Sequence, residues 1–146
     1  MIRLRMTRRR LALAVIVAIA TPLAACGGPV TPDELARSIG TLESTAAEGA
    51  FLADDVADNR TKATFVRVHA RDLSDVVEHE AEKLRDAQSD RPEVAEAKSN
   101  AIALAERIGT ALGQVQIAPG SERAGRSAGG QLSRLSQQAG KLADGL

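Results

Sequence analysis

From position 31 onward, apolar residues recur every three or four positions in four blocks, the period of one helical face, and short polar or Pro/Gly-rich breaks separate the blocks. Thr31-Pro32-Asp33-Glu34 opens the first block with an N-cap threonine, a proline at the first helical position and a glutamate placed to close a capping box. Leu35, Ile39, Leu42, Ala46, Ala50, Ala53 and Val56 then share one face as far as Asp58-Asn59-Arg60-Thr61, which holds good turn formers and no apolar residue. A second helix is expected over 61–88, with Phe65, Val66, Leu73, Val76, Val77, Leu84 and Ala87 along its inner side. Ser89-Asp90-Arg91-Pro92-Glu93 repeats the stop-and-cap pattern. The third helix places Val94, Ala97, Ala101, Leu104, Ala105, Ile108, Leu112 and Val115 inward, and Ala118-Pro119-Gly120-Ser121 breaks it. Ala124, Ala128, Leu132, Leu135, Ala139 and Leu142 line the fourth.

Four helices of about 24 to 28 residues, each near 40 Å long at 1.5 Å per residue, joined by short turns, predict an all-α fold. Short connections make antiparallel neighbours, so the expected architecture is an up-down-up-down four-helix bundle over 31–146. Nothing reads as a strand, and no sequence repeat links the four blocks.

The core is rich in alanine and nearly free of aromatics, with Phe51 and Phe65 the only two in the chain. Phe51 and Leu52 fall off the main stripe of the first helix. They predict either repacking against the fourth helix, the favoured outcome, or a small apolar patch. The fourth helix looks weakest, because Gly125, Gly129, Gly130 and Gly140 each cost up to about 1 kcal/mol relative to alanine in a helix interior. Charge offers it help. The first helix region holds seven acids against Arg37, and the fourth has four basic groups against Glu122 and Asp144, so the two helices are expected to attract as neighbours.

The first 25 residues break this pattern. Arg3, Arg5, Arg8, Arg9 and Arg10 are followed by the apolar run LALAVIVAIA and then by small residues, the layout of a secretory signal. The apolar stretch 11–25 has 15 residues and contains Pro22, whereas a spanning helix needs about 20. Met6 followed by TRRR also begins a complete signal, so two starts fit. The whole chain carries 19 basic and 19 acidic groups; removing the five leader arginines leaves 14 against 19, a net charge of −5 after residue 25. An acidic body without Trp or Tyr lacks both the electrostatic footprint and the stacking surface of a nucleic-acid binder.

Leu23-Ala24-Ala25-Cys26, at the end of this leader, resembles the lipobox of bacterial lipoproteins, in which an aliphatic and two small residues precede the modified cysteine. The resemblance implies cleavage before Cys26, with Leu23, Ala24 and Ala25 read by the signal peptidase. It also implies a thioether-linked diacylglyceryl group, with chains such as palmitate, on Cys26. Cys26 is the only cysteine, so no internal disulfide is available, and lipidation would consume a thiol that is a liability in an oxidising compartment. Two acyl chains suffice for stable membrane residence. The expected organisation is therefore a signal peptide at 1–25, lipidated cysteine and tether at 26–30, and the bundle at 31–146. Its expected location is the cell membrane, lipid-anchored on the extracytoplasmic side.

Chemistry is sparse. His69 and Glu80 fall at apolar positions of the second helix and are candidate inner-face polar residues, with Lys98 the expected partner of Glu80 and Gly49 opposite His69. They stand 11 residues apart, about 16 Å along a helix, too far to share one ion. Neither Gly-x-Ser-x-Gly nor His-Glu-x-x-His is present, and the glycines form no phosphate loop. No catalytic residue, metal or cofactor is expected. The functional expectation is a membrane-tethered structural or interaction module of the cell envelope whose partner is another envelope protein. A ligand- or metal-binding bundle using His69, Glu80 and Lys98 is the alternative.

Overall fold

The computed structural model describes residues 28–146. They form four helices: α1 (Pro32–Ala57), α2 (Ala63–Asp86), α3 (Pro92–Ile117) and α4 (Glu122–Ala143). The fold is an all-α four-helix bundle, and the expected signal peptide, its recognition residues Leu23, Ala24 and Ala25, and Cys26 lie outside the described residues. None of the described helices is long and apolar enough to cross a membrane.

Local chemistry sets most helix ends. The Thr31 hydroxyl oxygen accepts the Glu34 backbone N–H at 3.2 Å, while the Glu34 carboxylate accepts the Thr31 N–H at 3.0 Å and its O–H at 2.9 Å. This is the reciprocal capping box that Thr31-Pro32-Asp33-Glu34 predicts. After α1, Asn59 adopts a φ of 53°, a left-handed conformation that asparagine tolerates better than most residues. Arg60 ties the turn back to Asp55 at 3.0 Å and Asp58 at 3.2 Å. Ser121 caps α4 by accepting the Ala124 N–H at 3.3 Å. At α3 the expected side-chain cap is absent: Ser89 donates to the Arg91 carbonyl at 3.3 Å, so the start rests on Pro92.

Helices consecutive in the chain pack on one another, and α1 also packs on α4. α1 and α3 meet across the middle, whereas α2 and α4 do not, so the cross-section is a rhombus with α1–α3 as its short diagonal. Leu35, Ile39, Leu42, Leu84, Ile108, Leu112 and Leu132 are fully buried there, and no buried side-chain polar atom lacks a partner among the described residues.

The α1–α4 seam is built from small residues. A methyl group on Gly125 would lie 2.6 Å from both the Ala53 carbonyl oxygen and the Ala57 nitrogen, and one on Gly129 would lie 2.8 Å from Asp54 Oδ1. These glycines mark the closest helix approach and are not the weak points that helix propensity alone suggests. The charge complementarity expected for this pair is not made into contacts. Among the described residues no ion pair joins α1 to α4, and Arg126 pairs within its own helix, with Glu122 at 3.3 Å.

In α2 the inner stripe is Val66, Ala70, Leu73, Val77, Ala81 and Leu84. Phe65 and Val76, expected inward, are exposed, because Ala70 and Ala81 pack into the core and turn the buried face away from them. The chain also joins the body before Thr31. Val30 packs against the core and donates its N–H to the Gln88 carbonyl at 2.8 Å, so residues 28–30 run along the end of α2.

Candidate functional site

The three inner-face candidates stand in three separate contacts. His69 sits at the α1–α2 rim, about 30% exposed, with Nε2 2.9 Å from Glu48 Oε1 and its ring stacked on Phe65 at 5.4 Å and 19°. It does not fill the space opposite Gly49, which Leu112 and Leu132 occupy. The same rotation of α2 that exposes Phe65 carries His69 out of the core.

Glu80 is well enclosed, its side chain 13% exposed, but it pairs with Lys83 Nζ at 3.3 Å instead of with Lys98. Lys83 is one turn along the same helix, the spacing at which side chains meet, so it reaches Glu80 first. The Lys83 ammonium also donates to Ser38 Oγ at 3.0 Å, giving that buried hydroxyl a cross-helix partner. Lys98 Nζ donates instead to the Ala87 carbonyl at 2.7 Å, placing a cation on the free carbonyls that end α2.

Among the described residues no three His, Cys, Asp or Glu side chains gather in a way that could hold a metal ion. The Ser74 hydroxyl donates to the Ala70 carbonyl at 2.9 Å, an ordinary helix back-bond. The Glu34 carboxyl is held below the usual glutamate range. The Thr31 backbone N–H and then its hydroxyl favour the ionised form most; desolvation opposes them, and Arg37 and Lys83 contribute less in the same direction as Thr31.

Two surface features remain, of which the sequence signals only the exposure of Phe51. The first is an apolar set at one end of the bundle: Phe51 near the end of α1, Phe65 and Val68 in the first turns of α2, and Ile117 at the end of α3 are all exposed, Phe51 by 74% and Ile117 by 85%. Leu52 beside Phe51 is buried, whereas Phe51 is not, so the expected repacking against α4 fails for Phe51. The second is a groove of about 510 Å³ at the opposite end, between the start of α1 and the end of α2, rimmed by residues 28–30. Charged residues drawn from both helices had no sequence spacing that could reveal it. Compared with known proteins, the chain matches no family model, no curated protein and no solved structure.

Proposed function

We propose that this chain is a lipoprotein precursor whose mature form is anchored to the cell membrane through a lipid on Cys26 and acts on the extracytoplasmic side as a non-catalytic interaction module. The observation that carries this reading is Leu23-Ala24-Ala25-Cys26 at the end of a basic and then apolar leader. The geometry of the body supports it in two ways. The folded chain begins within a few residues of Cys26, so an anchor there holds one defined end of the bundle against the bilayer. Four of the exposed apolar residues, Phe51, Phe65, Val68 and Ile117, stand towards the other end: Phe51 lies about 28 Å along α1 from Pro32. Exposed apolar side chains away from the anchor suit contact with another envelope protein. A bundle binding a metal or ligand has less support, since His69, Glu80 and Lys98 do not converge.

The test is fractionation combined with crosslinking in intact cells. The native chain should stay with membranes and be captured repeatedly with the same protein. Cys26→Ser should release it from the mature membrane-bound pool, and Phe51→Ser should reduce capture without releasing it. Membrane association that is indifferent to Cys26, with no recurrent captured protein, would contradict the reading.

A further inference from the structure

We propose that the groove between the start of α1 and the end of α2 seats the glyceryl diester neck of the lipid carried by Cys26, and so fixes how the bundle stands on the membrane. The inference rests on the lipoprotein reading and deepens it. Gly28 and Val30 form one rim of the groove, and Val30 is pinned by its hydrogen bond to Gln88. Two residues of chain reach at most about 7 Å, so a lipid attached at Cys26 starts beside this opening whatever path residues 26 and 27 take. A groove of about 510 Å³ falls within the roughly 300–1,000 Å³ typical of small-molecule pockets.

The lining suits an ester neck. Ester and ether oxygens accept hydrogen bonds and donate none, so they need N–H donors. Arg37 has no ion pair or side-chain hydrogen bond with a described residue, and the Lys83 ammonium spends two of its three protons on Ser38 and Glu80. Both side chains line the groove beside Glu34 and Asp86, and Leu84, Ala87 and Val30 supply apolar surface for the glycerol carbons. The acyl chains leave through the mouth into the bilayer, so no hydrocarbon has to be withdrawn from the membrane.

The test uses the full chain in its own cells, fed a fatty acid carrying a diazirine in its first few carbons. After irradiation, peptide mass spectrometry should find the lipidated Cys26 peptide joined to peptides covering residues 34–38 or 83–87 of the same chain. Arg37→Gln combined with Lys83→Met should lower that yield several-fold while leaving lipid mass unchanged; because Lys83 also holds Ser38 and Glu80, Arg37→Gln alone should lower the yield in part with no change in melting temperature. Lipid on Cys26 with crosslinks only to bulk lipid or other proteins would overturn the groove assignment alone. So would groove peptides carrying a phospholipid mass in place of the Cys26 peptide, or a yield that survives the double variant. A chain with no lipid on Cys26 would overturn both this proposal and the reading beneath it.

Discussion

Gly125 lies so close to α1 that a methyl group added there would sit 2.6 Å from the Ala57 nitrogen and 2.6 Å from the Ala53 carbonyl oxygen. Both neighbours are backbone and cannot swing aside. Gly125→Ala should therefore destabilise the bundle by about 1–3 kcal/mol, the usual cost of overpacking, even though alanine is the better helix former. Gly109 and Gly113 in α3 meet nothing within 4 Å of an added methyl group, so alanine there should stabilise by about 0.5–1 kcal/mol. Urea melts of the unlipidated Cys26→Ser chain compare the three. Equal effects of the same sign would show that α1 and α4 are not in close contact at this seam.

Phe51 and Leu52 are adjacent in sequence and opposite in environment, 74% and 4% exposed. Leu52→Ala should cost about 2–5 kcal/mol, as expected for truncating a buried leucine. Phe51→Ser should change stability by less than about 0.5 kcal/mol, as for other surface positions away from special features. A large loss of stability at Phe51 would mean that this ring is core, which would remove the apolar end as a docking surface.

Much of this molecule was readable from spacing alone, and the failures have a common cause. In α1 and α3 the alanines were counted with the larger apolar residues, and every position so assigned is buried. In α2 the large residues Phe65 and Val76 point the apolar stripe toward His69, whereas Ala70 and Ala81 are the residues that pack inward. Where a core is built from alanine, the small residues define the face. Partner choice for long side chains was less readable still, because Glu80 had candidates both on its own helix and on α3, and only packing decides between Lys83 and Lys98. The glycines of α4 carry the same message, since propensity is silent about a neighbouring backbone at 2.6 Å.

His69 and Glu48 link α1 to α2 at a partly solvated rim. A double-mutant cycle with His69→Ala and Glu48→Ala should give a coupling of about 0.2–1 kcal/mol, in the range of exposed pairs and smaller in high salt. Chelators should leave the melt unchanged. A coupling of several kcal/mol, or a melt that shifts with added metal, would return His69 to the list of functional ligands.

Glu34 gives the bundle a defined response to acid. Its carboxyl is held below the usual range in the folded chain by the Thr31 N–H and hydroxyl. A lowered folded value contributes stability that is complete above the ordinary glutamate range and is lost as pH falls through it to the lowered value. Glu34→Gln should accordingly flatten part of the acid side of the stability curve and leave the slope near neutrality unchanged. Urea midpoints measured from neutrality down through the carboxylate range check this. An acid limb identical to that of the parent chain would show that the capping box is not maintained in solution.

Everything said of location rests on Cys26, and intact mass spectrometry of the native product isolated from membranes tests it most directly. The account predicts a chain that begins at Cys26 and carries the added mass of a diacylglyceryl group on that residue, all of which disappears in Cys26→Ser. A mature chain that begins elsewhere, or one in which Cys26 retains a free thiol, would contradict it.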